Sequence, residues 1–323
     1  LNTLLLNAES AADITLCADL LQNGRLVAVP TETVYGLAAD ASNPDAVRAI
    51  FAAKGRPANH PLIVHVPDIA AIGQWAKNVS NSAFALAEAF WPGPLTLLLH
   101  KADHVSSVVT GGLDTIGLRM PSHPALLGLL QQYQLSVAAP SANPYKKLSP
   151  TSARQVLAGM EGKIPAVLDG GDCQYGLEST IVDLTGDKPV IVRAGPITGA
   201  QIAAVLGESV AQPRQHNIAV PGNVDAHYQP DNILYCYPTA ELRLKLAGLQ
   251  QPVALLHYSD IAVNRLVTSF AMPAEPVSFG RQLYQTLFSA DQSAAEVIWC
   301  ELPPEHDNWH AVHDRLKRAS CNL

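Results

Sequence analysis

Between Leu26 and Leu206, short apolar runs of strand length alternate with segments of helical period, and this alternation most narrows the folds open to the chain. The expected strands are Leu26–Val29, Leu62–Val66, Leu95–Leu99, Thr115–Leu118, Val137–Ala139, Ala166–Leu168, Thr180–Leu184 and Val190–Val192. Strands separated by helices define an α/β domain. Asn43 and Pro44 read as a helix cap with proline at the first position, and Gly55 as its stop, which puts Lys54 and Arg56 at a helix exit.

Between about Gln212 and Pro230 the pattern gives way to Pro, Gly, Asn and His, the composition of a linker. Beyond it Ile233–Tyr237, Val253–Tyr258 and Val297–Cys300 read as strands, and Ala240–Ala247, Arg281–Phe288 and Asn308–Ala319 as helices, a small parallel, Rossmann-like layer sandwich. The expected division is therefore an α/β domain over 1–211, a linker or lid over 212–231, and a Rossmann-like α/β domain over 232–323. A length of 323 residues favours two cores.

Charge narrows the class of partner. The net charge is -7, with 14 Lys and Arg against 17 Asp and Glu in residues 1–214 and 7 against 11 in the remainder. Neither half is a basic module of the kind that grips a phosphate backbone, so small molecules are the expected partners. The five cysteines are scattered, without a C-x-x-C pair, and read as reduced thiols of a cytoplasmic protein. No apolar stretch approaches bilayer length, so neither membrane insertion nor export is expected.

Several clusters could carry chemistry. Pro30 to Leu37 (PTETVYGL) gathers hydroxyls, a carboxylate and a glycine after a buried strand, which suits a ligand loop and equally a turn with a capping threonine. Lys54 and Arg56, followed by His60 and His65, offer a point charge and a bidentate fork for a polyphosphate, or simply a solvated helix end. Arg119, Ser141 and Asn143 lie at the ends of apolar runs, where open α/β sheets collect ligands. Ser179 and Arg193 add a further hydroxyl and guanidinium. No G-x-x-x-x-G-K-[ST] stretch is present, so phosphates would need these cations in place of a P-loop. His306, His310 and His313 share a helical face like a zinc helix, although Asp307 stands where a catalytic Glu would be, and surface histidines explain the pattern better.

Taken in order, these segments resemble the threonylcarbamoyl-AMP synthase family, a YrdC-like domain with an added C-terminal domain. The likeness rests on PTETVYGL, KGRP with PLIVH after it, WPGPLT at Trp91–Thr96, GLRMP, PSAN, SPT at Ser149–Thr151, ESTIVD and RAG, and covers nearly the whole chain. It implies a twisted mixed-sheet YrdC-like domain with an open cavity and a smaller Rossmann-like α/β domain. It further implies formation of threonylcarbamoyl-AMP and pyrophosphate from L-threonine, bicarbonate and ATP, with Mg2+ as phosphate counter-ion, for threonylcarbamoyladenosine modification of tRNA.

By this resemblance Thr33, His65, Arg119, Ala139 through its backbone, and Ser179 hold L-threonine, with Arg119 on the carboxylate. Lys54, Arg56, His60, Thr115, Ser141, Asn143, Ser149 and Arg193 surround ATP, with Lys54 and Arg56 catalytic at the leaving group and Tyr228 reaching in from the linker. His60 departs from the asparagine found in other members, and Ile233 from a proline. The partners implied are the small substrates and a downstream tRNA-modifying transferase complex, with room for a weak tRNA contact. Two readings from other classes compete: a double-stranded RNA or tRNA-binding module, against which the acidic balance counts, and a YrdC-like carbamoyltransferase, whose companion domains are absent from this sequence. A last expectation is that Gly222–Pro230 closes as a lid, since a carbamate-bearing adenylate needs shielding from water.

Overall fold

The computed structural model describes residues 2–213, 217–222 and 227–323, which divide into two compact units. The first comprises Leu1–Tyr145, Pro150–Gln174 and Glu178–Asn223, the second Lys146–Ser149, Tyr175–Leu177 and Val224–Leu323.

In the first unit the strands are β1 (Leu4–Asn7), β2 (Val27–Val29), β3 (Gly36–Asp40), β4 (Ile63–His65), β5 (Ala76–Lys77), β6 (Leu95–Lys101), β7 (Thr115–Arg119), β8 (Val137–Ala138), β9 (Ala166–Asp169), β10 (Thr180–Asp183) and β11 (Val190–Arg193). They form a mixed sheet in the order β1-β9-β2-β3-β8-β4-β7-β6-β10-β11, with β5 pairing β6. Its helices are α1 (Ala11–Gln22), α2 (Pro44–Lys54), α3 (Ile72–Trp75), α4 (Asn81–Phe90), α5 (Pro124–Tyr133), α6 (Ala153–Met160) and α7 (Gly199–Leu206).

The inner strands are runs of Val, Ile, Leu and Ala because they are buried on both faces; β2, β4 and β8 have no exposed residue. Helix α2 follows its sequence signals closely. The Asn43 side chain accepts from the N–H groups of Asp45 and Ala46, Pro44 needs no partner for its missing N–H, and Gly55 ends the helix at φ 63°. Val47, Ile50 and Phe51 turn one face of α2 into the core, leaving Lys54 at its end, also buried.

Three strands escaped the sequence reading. β1 is an edge strand with Leu4 and Leu5 exposed, so it lacks a two-faced apolar pattern. β3 begins inside the presumed ligand loop at Gly36, where a Cβ would meet that of Ala139 at 3.1 Å. The two-residue β5 is too short to leave a signal.

The second unit carries β12 (Ile233–Tyr237), β13 (Val253–His257), β14 (Val267–Ala271) and β15 (Val297–Glu301), with helices α8 (Thr239–Ala247), α9 (Pro276–Asp291) and α10 (His310–Ala319). The sheet order is β12-β15-β13-β14 and every pairing is parallel, as the strand–helix alternation predicts. The edge strand β14 was missed because its half-exposed VTSFA lacks an apolar run. Phe279, Leu283 and Leu287 repeat at i, i+4, i+8 along α9, so one face of that helix is fully buried.

Strand β12 lies at the sheet edge, and the chain's last residues bind along it. The Asn322 side chain accepts from the Cys236 N–H at 2.9 Å and donates to the Cys236 carbonyl at 2.8 Å, while Cys321 N–H donates to Leu234 O at 3.0 Å. Also in this unit, His306 caps the turn before α10 and His313 lies 3.1 Å from the Pro304 carbonyl. Among the described residues, no group of three or more His, Cys, Asp or Glu is arranged to hold a metal.

Candidate active site of the first unit

Parallel strands β4 and β7 end side by side, with His65 opposite Arg119 in register, so both side chains leave the same face of the sheet. Below them on that face lies Gly117, where a Cβ would come within 3.2 Å of the Thr96 methyl. Antiparallel β8 adds Val137 opposite His65, and the chain then runs into Ala139, whose N–H donates to Ile63 O at 3.1 Å.

Arg119 is the charged centre of this floor. Its side chain is 5% exposed, and Nη2 lies 3.0 Å from Oε1 of Glu32, itself 2% exposed. The pair meets at a poor angle: Arg119 Nε and Nη2 and Glu32 Oε1 are all buried without a hydrogen bond. Burial, then the positive charge of Arg119, pushes the His65 pKa well below 6.5, while the carbonyls of Ile63 and Val137 act in the opposite sense. The imidazole is therefore neutral, and its buried Nδ1 makes no hydrogen bond. Orphaned buried donors and acceptors are uncommon in a settled interior, and here three groups that carry them lie together.

The threonine-rich loop folds around its own hydroxyls. Thr31 Oγ1 accepts from the N–H groups of Thr33 and Val34, donates to Val34 O at 2.6 Å, and lies 2.9 Å from Thr33 Oγ1. This turn holds Thr33 inward, 1% exposed. At the far side of the sheet Ser179 Oγ contacts Thr96 Oγ1 at 2.7 Å and accepts from Arg193 Nη2 at 2.9 Å, and Arg193 Nε donates to Ser179 O at 2.9 Å. Its Nη1 reaches Pro221 O at 3.0 Å. Val220 packs with Ile63, Leu98, Ile181 and Val192, which seats the 217–222 segment on this floor.

Lys54 does not stand free at a helix exit. It is 4% exposed, and its ammonium donates to Ser141 O and Asn143 O, each at 2.5 Å, with Asn143 Oδ1 at 3.5 Å. The lysine is a strut beneath the Ser141–Asn143 turn. Burial, then the charge of Arg56, lowers its pKa well below 10.5. Arg56 Nη2 donates to Pro61 O at 3.0 Å, and the Tyr145 hydroxyl lies 3.5 Å from His60 Nδ1.

Thr33, His65, Arg119 and Ala139 thus gather at one end of the strands, and Lys54, Ser141 and Asn143 form a second group. Ser179 pairs with Arg193. Thr115 opens β7, about 13 Å from Arg119 at strand rise, so it belongs to another part of the floor. Ser149 and Tyr228 belong to the second unit. Ser149 is 1% exposed there, and Tyr228 is buried at φ 58° with its ring 5.7 Å from that of Tyr284 and 5.5 Å from the Arg315 guanidinium carbon. Of the expected linker or lid, residues 214–216 and 223–226 lie outside the described residues.

Three residues of the floor were not singled out as binding residues from the sequence. Glu32 and Thr31 stood within the quoted motif, and Thr96 within another; a lone arginine expected in a core is a signal that a carboxylate must accompany it.

A mixed α/β sheet that gathers a buried arginine, a neutral histidine and inward hydroxyls at its strand ends, carried with a parallel Rossmann-like unit, defines a two-unit α/β protein with a buried polar floor. Comparison sharpens this. Residues 19–195 match the family described as "Telomere recombination", and residues 197–321 match the "Threonylcarbamoyl-AMP synthase, C-terminal domain". The threonylcarbamoyl-AMP synthase of Pyrococcus abyssi is 38% identical over 98% of both chains, and that of Bacillus subtilis 37% identical over 95% of this chain and 92% of that protein. The crystal structure of P. abyssi Sua5 complexed with L-threonine superposes with a TM-score of 0.88 at 36% identity, covering 98% of each chain. The chain belongs to the threonylcarbamoyl-AMP synthase family.

Proposed function

We propose that the floor around Arg119 is the threonine subsite of a threonylcarbamoyl-AMP synthase, which makes threonylcarbamoyl-AMP and pyrophosphate from L-threonine, bicarbonate and ATP for threonylcarbamoyladenosine modification of tRNA. One observation carries the reading: a buried guanidinium with two unbonded nitrogens beside a neutral histidine, at the ends of two parallel strands. A substrate carboxylate supplies the acceptors that Arg119 lacks. Thr33, Ser179, the Ala139 backbone and neutral His65 then surround the rest of the amino acid.

In this reading the amine of threonine captures the bicarbonate-derived carbon as a carbamate, and a carbamate oxygen attacks the α-phosphate of ATP and expels pyrophosphate. Such displacements depend chiefly on positioning and on charge near the leaving group. Arg56 and Lys54 meet that need, Lys54 in part by holding Ser141 and Asn143 in place. His60, Thr115 and Arg193 complete the ATP contacts on the first unit, while the ATP roles of Ser149 and Tyr228 rest on the family resemblance alone. Mg2+, when bound with ATP, would serve as counter-ion to the phosphates and neutralise charge at the leaving group.

The chemistry makes the enzyme a nucleotidyltransferase. The product is passed in the cytoplasm to a tRNA-modifying transferase complex, and direct contact with tRNA is weak. The linker works as a lid, and its 217–222 segment, packed on the floor through Val220, moves to admit substrate. The deciding experiment incubates the pure protein with labelled bicarbonate, threonine and ATP and seeks pyrophosphate and the labelled adenylate by mass. Absence of both products with all substrates present refutes the reading.

A further inference from the structure

We infer that Glu32 is a positioning residue for amino-acid recognition: it fixes the Arg119 guanidinium in place and cancels its charge before substrate arrives. The inference rests on the assignment of Arg119 as the carboxylate anchor.

Glu32 is held from two sides. Its Oε2 accepts from the Ser122 N–H at 3.1 Å, just past the end of β7, and its Oε1 lies 3.0 Å from Arg119 Nη2. The carboxylate is thereby tied to the backbone that follows the strand bearing Arg119. Fixing the acid fixes the edge of the guanidinium that meets it, and so the direction in which the remaining edge points. Both side chains are at least nine-tenths buried, so solvent competes little for either.

Glu32 also supplies the countercharge in this neighbourhood. The other titratable groups that face the pair are His65 on β4, His123 before α5, and Cys173 after β9. Burial lowers the pKa of both histidines and raises that of the thiol, so all three are neutral near pH 7. The Arg119–Glu32 pair thus sets one cation against one anion, and a substrate carboxylate meets an arginine already oriented rather than one that must be ordered on binding. Pre-ordering of this kind appears as affinity.

Because the effect passes through Arg119, a double-mutant cycle on L-threonine binding, read by calorimetry, tests it. Glu32→Gln keeps an acceptor for Ser122 N–H but loses the charge. It is expected to weaken threonine binding about tenfold or more, within the coupling range of side chains in direct contact, while ATP affinity changes less than about twofold. In an Arg119→Ala background the same substitution should change threonine affinity less than about twofold. Equal losses in both backgrounds, or no loss in the first, overturn the inference. If Arg119→Ala itself leaves threonine binding intact, it is the anchor assignment that fails. Retained ATP binding certifies the fold of each variant, and should Glu32→Gln not fold, Glu32→Asp, shorter by one methylene, enters the same cycle with the same expected pattern.

Discussion

Gly195 sits where no side chain fits. A Cβ there would lie 2.3 Å from the Thr180 nitrogen, 2.7 Å from the Glu178 oxygen and 2.7 Å from the Ser179 carbonyl carbon. Every one of these atoms is backbone, and an ordinary contact would need about 1 Å more room than the closest of them leaves. The neighbours cannot yield cheaply. Thr180 N–H donates to Pro94 O at 3.0 Å, and its hydroxyl both donates to Ile197 O at 2.7 Å and accepts from Ile197 N–H at 3.0 Å.

Gly195→Ala must therefore displace the 193–197 turn and break that reciprocal pair. Overpacking costs about 1–3 kcal/mol, and two lost hydrogen bonds about 1 kcal/mol each, for a total of about 3–5 kcal/mol. At about 2–4 °C per kcal/mol for a unit of this size, the melting temperature should fall by roughly 10 °C. The displacement also pulls Arg193 from Ser179, so threonine binding should weaken in whatever fraction stays folded. Thermal unfolding followed by circular dichroism, with calorimetric titration of threonine, measures both. Gly73→Ala is the control, since nothing lies within 4 Å of its added Cβ and its φ is ordinary. A Gly195→Ala protein that melts within about 2 °C of the parent and binds threonine normally would refute the steric argument.

Lys54 should impose an alkaline limit on turnover below the usual lysine range, because its pKa is lowered and only the charged form can donate to all its acceptors. The sign is loss of activity as pH rises; a pH–rate profile whose alkaline limb does not move upward in Lys54→Arg would contradict this. Arg56→Ala should slow turnover by tenfold or more, on the order expected for loss of a charge-stabilising donor, with threonine affinity nearly unchanged in calorimetry. Limited proteolysis between Gly222 and Asn232 should slow when ATP and threonine are added together, and protection indifferent to both would remove the lid from the account.

How much could be read beforehand followed from what each residue type must do locally. An inner strand such as Val27–Val29 announces itself because burial on two faces demands an unbroken apolar run. Helix α2 was legible to its ends, since Asn, Pro and Gly act on their own backbone. The edges were not: exposed β1 and half-exposed β14 obey pairing partners distant in sequence. The site divides in the same way. Arg119 and His65 stood out as polar residues at strand ends, but Lys54 looked like a free cation because its acceptors, Ser141 and Asn143, lie far along the chain. Glu32 was hidden for the same reason, its role being defined by Arg119 and Ser122 rather than by its neighbours in the loop.

The clasp of Asn322 on β12 reaches beyond local stability. A sheet edge grows by offering alternate N–H and C=O groups to an incoming strand. At Cys236 both groups are already engaged by one amide side chain, and the Leu234 carbonyl is engaged by Cys321. Three of the handholds that a recruited strand would need on that margin are thereby taken, so the second unit's sheet is sealed against lengthening through β12, and with it against fibre-like association by that route.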